Sequence, residues 1–382
     1  MSDFIFRINP NIILGPFTIN RLGQYSQDWG TRFMIIMDPV LNELKLSEKI
    51  LQPLRDRNID FFVFSDLSEG SSSKNIERAL KLAREGHVQG IICTGGEKAM
   101  NIGRTVAAYY NETQDLYTLI DGAAVTKEPI PCLCIPTTYR TPYIFTREVP
   151  VMDARSRQLK IIKIPYTVCK LLLIDPNLML SLTDNQKITL SLEALNMGLE
   201  AYLSQKANFF SDMFAEKGLE LLSYTMTENM EHSSTTPEEV LLSQAGCLVS
   251  MATSSASLGM ISLLSLSIYT RYNINKSLIS SILLPYFIEY VSKFKAAEID
   301  KIAKIMGICD AETEQEESCR IFVDFIRELM AKENLPARLK DLKLTIEQLS
   351  LAIEDVAKFD IMNNLPRSMT SDDLFDFVKA AF

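Results

Sequence analysis

Histidine is nearly missing from this 382-residue chain, where His87 and His232 are the only two. With two imidazoles so far apart in sequence, neither a His-based triad nor a metal centre built mainly on histidine is expected. An excess of positive charge is missing too. Lys and Arg number 39 against 48 Asp and Glu, for a net charge of -9. No basic stripe with interleaved aromatics is present, and phosphate binding needs clustered cations, so nucleic acid is excluded as a general partner. The seven cysteines (Cys93, Cys132, Cys134, Cys169, Cys247, Cys309 and Cys319) are odd in number and scattered. They make no disulfide framework and read as reduced thiols of a cytoplasmic protein. Cys132 and Cys134 share one face of an expected strand; without a second Cys or His pair beside them in sequence, they read as buried thiols and not metal ligands.

Other absences concern membranes and known catalytic motifs. The first fifteen residues carry no cationic segment ahead of an apolar run, so no secretory signal is expected. The uncharged stretch Val240–Thr270 exceeds the ~20 residues that span a bilayer. It carries Gln244 and hydroxyls on every face of a helix, however, and Gly259 interrupts it. Two buried helices are expected there, and no membrane span. There is no G-x-S-x-G, no Walker loop and no H-E-x-x-H.

What is present is an ordinary globular composition, 47% hydrophobic and 23% charged, at a length that suggests about two domains. The first half alternates strand and helix: strands at Thr31–Met37, Phe61–Phe64, Gly90–Cys93 and Pro131–Ile135, helices at Leu41–Arg57, Lys74–Glu85 and from Gly96 to Tyr110. That spacing reads as a doubly wound, Rossmann-like parallel sheet over residues 1–180. Ligands in such sheets bind at the carboxyl ends of the strands, where Asp38, Gly95, Gly96, Thr137 and Thr138 fall. Residues 181–382 are almost continuously helical in pattern, an all-α domain. The last helix is introduced by Thr370-Ser371-Asp372-Asp373, a cap with carboxylates at the positive end of the dipole.

Taken in order, several fragments resemble the iron-containing (group III) alcohol dehydrogenases, with their dehydroquinate-synthase-like fold. Gly95-Gly96 stands at the family's GGGS loop and Ile135-Pro136-Thr137-Thr138 at its I-P-T-T. Asp175-Pro176-Asn177-Leu178 and Leu180-Ser181-Leu182 follow its D-P-x-L…L-P, with Leu182 in place of Pro. Leu199-Glu200-Ala201-Tyr202 with Ala207-Asn208 is similar to its I-E-A-Y…A-N. Ile282-Leu283-Leu284-Pro285, Leu335-Pro336-Ala337-Arg338-Leu339 and Asn364-Leu365-Pro366-Arg367 follow its closing segments. The resemblance implies a dinucleotide-binding domain and a helical domain that carries a divalent metal, which polarises an alcohol or carbonyl oxygen while hydride moves to or from nicotinamide. It also implies a homo-oligomer, expected as a dimer.

The chain departs from that family at its chemistry. The resemblance puts the metal-ligand positions on Glu193, Met197, Ser262 and Lys276, and a further family histidine on Leu266. A thioether, a hydroxyl and an ammonium are poor ligands for such an ion, so no iron or zinc is expected and no catalytic residue is assigned. Lys276 and Glu193 are expected to form an ion pair in the metal's place, the alternative being a Lys276 that points to solvent. Glu193 and Glu200, seven apart, share a helix face and read as structural more than acid–base.

The dinucleotide positions are altered as well. Glu97 brings a carboxylate to the glycine loop, and Tyr139, Arg140 and Tyr143 replace small residues of the neighbouring loop. Asp38 reads equally as a ribose ligand or as a turn residue. Of NAD(P), only a weak remnant of binding is expected. Lys98, Arg104, Arg140 and Arg147 are expected to be ordinary charges, Lys98 paired with Glu97 and the others on a solvated rim; an anion site is the alternative. Two functions remain open on sequence: a non-catalytic binding or assembly protein with a protein partner, or an NAD(P)-dependent alcohol or aldehyde oxidoreductase with altered or absent metal dependence.

Overall fold

The computed structural model describes residues 8–179, 182–226 and 236–382. His232, Leu180, Ser181 and most of the loop expected at Glu231–Thr236 lie outside the described residues. Two compact units emerge, Arg7–Ser181 and Leu182–Phe382.

The first unit holds strands β1 (Asn11–Leu14), β2 (Arg32–Met37), β3 (Asp60–Phe64), β4 (Gly90–Gly95), β5 (Cys132–Pro136), β6 (Glu148–Asp153), β7 (Gln158–Lys163) and β8 (Cys169–Ile174). Its helices are α1 (Leu22–Ser26), α2 (Val40–Glu43), α3 (Ser47–Arg55), α4 (Ser73–Glu85), α5 (Glu97–Tyr109) and α6 (Leu116–Ile120). Six strands form one parallel sheet in the order β1-β8-β5-β4-β2-β3. The inner strands β4 and β5 are buried at every position, as apolar runs such as Gly90-Ile91-Ile92-Cys93 require when helices cover both faces. Under one face, Phe33, Ile35, Ile92, Leu133 and Leu171 pack with Ile50 and Leu54 of α3. Helix α4 starts where the Ser72 hydroxyl accepts the Asn75 N–H at 3.2 Å and buries Ile76, Ala79, Leu80 and Ala83 along one stripe.

Two features differ from the sequence expectation. The helix expected over Leu41–Arg57 is two, α2 and α3, because Lys45 sits at φ +57° and turns the chain left-handed between them. The antiparallel pair β6–β7, absent from that reading, folds as a hairpin with Val149 opposite Ile162 and Asp153 opposite Gln158. Asp153 closes the hairpin. Its carboxylate accepts from Arg155 N (3.0 Å), Nε (3.0 Å) and Nη2 (2.7 Å). The Arg155 hydrogen bonds hold the Asp153 carboxyl below its usual range. A carboxyl with a depressed folded value adds stability above the unfolded value of about 3.8, and that stability is lost as pH falls through the folded value. Asp153→Asn should therefore flatten the acid limb of the α/β unit's stability-versus-pH curve, read by thermal melts between pH 5 and about 2. An unchanged acid limb would discard this role.

The second unit is helical: α7 (Asp184–Leu203), α8 (Phe209–Met226), α9 (Glu238–Ser255), α10 (Met260–Tyr272), α11 (Lys276–Ile305, kinked at Lys295), α12 (Gln315–Lys332), α13 (Ile346–Val356) and α14 (Ser371–Ala380). Helix α7 begins with a capping box, Gln186 N–H to Thr183 Oγ1 at 3.3 Å and Thr183 N–H to Gln186 Oε1 at 3.0 Å. The expected cap of the last helix forms the same way on Thr370 and Asp373. The uncharged stretch is two mostly buried helices, α9 and α10, bent by 100° at Ala256–Gly259. Among the described residues no single helix is long and apolar enough to cross a membrane. Arg271 of α10 ties it to α13 through a bidentate pair with Asp355, at 2.6 and 3.0 Å.

Candidate functional site

In the α/β unit the sheet order brings the sequence-selected loops together. Strands β2, β4 and β5 are neighbours, so the residues after them meet. Asp38 N–H donates to Thr94 O and Thr137 N–H to Gly95 O, each at 3.0 Å. Gly95 has φ +135°, and a Cβ there would lie 2.5 Å from the Asp38 Cβ; only glycine fits this turn. Gly96 then precedes α5 with no side-chain cap, leaving the backbone frame of a phosphate-binding turn.

The side chains around that frame are committed elsewhere. Glu97, first residue of α5, lies 3.4 Å from Arg140 Nη1, with the two side chains 13% and 9% exposed. The helix dipole favours a carboxylate there, and the guanidinium neutralises it. Tyr139, Arg140 and Tyr143 are all buried, and Thr138 Oγ1 donates to the Arg140 carbonyl at 3.4 Å. Asp38 accepts the Val40 N–H at 3.3 Å in the turn ahead of α2. The solvated-rim expectation is corrected for two arginines. Arg104 and Arg140 are buried, Arg104 because its Nη2 donates to the Thr146 carbonyl at 2.5 Å, and Arg140 because it faces Glu97. Arg147 is exposed, with its guanidinium over the Tyr166 ring at 5.4 Å. His87 sits exposed on the turn after α4 at φ +48°. Asp175, from the D-P-x-L segment, is buried and accepts from Phe17, Ile19 and Asn177 N–H groups at 3.0–3.1 Å.

In the helical unit all five positions that the resemblance assigns to the metal region are placed. Glu193 and Met197 are buried one turn apart on α7, half-buried Ser262 and buried Leu266 stand one turn apart on α10, and Lys276 opens α11. Lys276 Nζ stands 3.0 Å from Glu193 Oε1, with side chains 12% and 4% exposed. The expected ion pair is formed, and the solvent-facing alternative for Lys276 is not. Ser277 Oγ donates to the other Glu193 oxygen at 2.5 Å.

One helical repeat further on, Glu200 binds the start of α10. It accepts from Gly259 N (3.0 Å), Ile261 N (2.7 Å), Ser262 N (3.2 Å) and Ser262 Oγ (2.5 Å). A Cβ on Gly259 would lie 2.8 Å from the Glu200 Cδ, so the close approach depends on glycine. Burial pushes the Glu200 carboxyl above its usual range, and the Ser262 and backbone donors pull it back. Ser262 Oγ also accepts from Asn196 Nδ2 at 3.3 Å. Sequence reasoning missed Ser277 and Asn196. Their signal was position: Asn196 lies three residues after Glu193 and four before Glu200 on the same face of α7, and Ser277 follows Lys276 directly.

As a donor set for a divalent cation these positions do not fit. The carboxylate is matched by an ammonium, the hydroxyl is engaged by Glu200 and Asn196, and what remains is the Met197 thioether and an alkyl group at Leu266.

Comparison with known proteins agrees with the architecture. Residues 9–176 match the family model "Iron-containing alcohol dehydrogenase", and residues 187–382 match "Fe-containing alcohol dehydrogenase family, C-terminal". The 1,3-propanediol dehydrogenase of Citrobacter freundii is 22% identical over 386 residues, covering 100% of this chain and 99% of its own. The lactaldehyde reductase of Escherichia coli K12 is 21% identical over 353 residues, 91% of each chain. The solved structure of the alcohol dehydrogenase from Oenococcus oeni superposes with a TM-score of 0.90 at 20% identity, over 100% of both chains. With both parts of the chain matched in order, this protein belongs to the iron-containing alcohol dehydrogenase family.

Proposed function

We propose that this chain is a repurposed, non-catalytic member of its family, a pseudoenzyme that acts as a binding or assembly protein through a homodimer in the cytoplasm. The observation that carries this reading is the buried Glu193–Lys276 pair at 3.0 Å. A fixed cation on the side chain itself supplies the charge that a divalent ion would otherwise bring, and it offers no open coordination position for a substrate oxygen. The Glu97–Arg140 pair supports the same reading at the glycine loop, because Glu97 itself occupies the start of α5 and pairs with the guanidinium beside it, where a pyrophosphate would otherwise sit.

The test is elemental analysis of the purified protein for Fe, Zn and Ni, together with NADH and NADPH titrations and alcohol oxidation assays with and without added metal. The expected result is no stoichiometric iron, no micromolar cofactor binding and no turnover, with a dimer by light scattering. Micromolar cofactor binding together with metal-dependent turnover would overturn the proposal. Cofactor-dependent turnover that a chelator leaves intact would favour the metal-independent oxidoreductase instead.

A further inference from the structure

The sequence reading left Cys132 and Cys134 without thiol partners, and the fold corrects this. Adjacent parallel strands bring Cys93 of β4 opposite Cys134 of β5, and Cys169 of β8 opposite Cys132. Sγ–Sγ distances are 3.3 Å for Cys93–Cys134, 3.6 Å for Cys93–Cys132 and 3.8 Å for Cys132–Cys134. These three sulfurs form a closed triangle. Cys169 touches only its Cys134 corner, at 3.4 Å, and lies outside the mutually close group. The Met100 thioether stands 3.8 Å from the Cys93 sulfur. All four thiols are buried and unbridged.

We propose that Cys93, Cys132 and Cys134 form a binding site for a neutral trivalent hydroxide of a thiophilic element, arsenite or antimonite, held by three sulfurs. Charge decides among the soft ligands. The thiols' ionisation is governed by burial and by one another, with no charged side chain among the leading influences. Any net charge created there goes unpaired and is costly. Three thiolates leave one negative charge on zinc(II) and two on copper(I). With arsenic(III) they leave none. The exchange is As(OH)3 + 3 RSH → As(SR)3 + 3 H2O. Three As–O bonds break and three As–S bonds form, each thiol proton leaves in a water molecule, and no electrons are transferred.

Shape agrees with charge. A tetrahedral zinc with Zn–S near 2.3 Å sets its sulfurs about 3.8 Å apart and needs a fourth donor. Two of the three edges here are shorter, and the fourth sulfur does not close the tetrahedron. A pyramidal centre with a lone pair has narrower S–X–S angles, needs only three donors and suits such a triangle. Loading proceeds through local opening of the sheet and its covering helix, and so is slow.

The experiment incubates reduced full-length protein with sodium arsenite, both folded and during refolding from denaturant. Gel filtration and elemental analysis follow, then alkylation in denaturant with mass mapping. One arsenic per chain is expected, with Cys93, Cys132 and Cys134 protected and Cys169 and Cys247 alkylated. Cys132→Ala is expected to retain at least tenfold less arsenic. Zinc chloride in the same protocol is expected to leave less than a tenth of an equivalent. Failure of the wild-type chain to retain arsenic under either condition overturns the proposal, as does protection of a different set of cysteines or full retention by Cys132→Ala. Stoichiometric zinc protecting the same three thiols overturns the choice of ligand class. The mapping on wild-type protein keeps the test decisive even if Cys132→Ala does not fold.

Discussion

Lys276→Met is expected to destabilise the helical unit by about 3–5 kcal/mol, the cost of leaving a buried charge without its partner. The Glu193 carboxylate, 4% exposed, would keep the Ser277 hydroxyl on its second oxygen while losing the ammonium 3.0 Å from its first. Glu193→Gln should cost less than this, because Lys276 is 12% exposed and its flexible chain can carry the ammonium outward. The double variant Glu193→Gln/Lys276→Met should recover most of the stability of the wild-type chain, since two neutral groups of similar size carry no desolvation penalty. Urea unfolding of all four proteins, followed by a signal from the helical unit, closes the cycle. A Lys276→Met protein within about 1 kcal/mol of wild type would show that the pair is not a buried charge balance, and the argument for its replacing a metal would fall with it.

Glu200→Ala carries the second large effect, expected at about 3–5 kcal/mol because it strands several buried donors at once. Three backbone N–H groups at Gly259, Ile261 and Ser262, with the Ser262 hydroxyl, end on this one carboxylate. Helix α10 has no cap of its own: Gly259 contributes no side-chain bond. Glu200→Gln keeps one acceptor oxygen and should lose about half as much. Amide hydrogen exchange separates this from general destabilisation, because protection should fall first in the opening turn of α10. Uniform loss of protection across the helical unit would count against the capping role.

The spacing of Glu193 and Glu200 by seven residues placed both on one face of α7, and each bonds to a neighbouring helix. Nothing in that spacing told that the first meets an ammonium and the second a helix start 59 residues away. Likewise Cys132 and Cys134 were legible as a shared face, yet Cys93 and Cys169 arrive only by strand pairing. The burial of Arg104 and Arg140 lies beyond local sequence for a related reason. A charge in a loop is usually solvated, but Arg140 meets Glu97 across two neighbouring strand ends, 43 positions apart in the chain.

What the sequence by itself determined was local and periodic. Buried apolar runs made β2, β4 and β5, the alternation with helices made the sheet parallel, and Thr183 and Thr370 with their partners three residues on started α7 and α14. The residue types at 193, 197, 262 and 276 were equally plain, and with them the poverty of ligand atoms. The tertiary structure decided the pairings: Glu193 with Lys276, Glu200 with α10, Glu97 with Arg140, and three thiols around one point. Local order follows from hydrogen bonds and hydrophobic period within a few residues. A pairing between distant side chains depends instead on which elements pack together, and no local pattern encodes a distance of 3 Å between residues 83 apart.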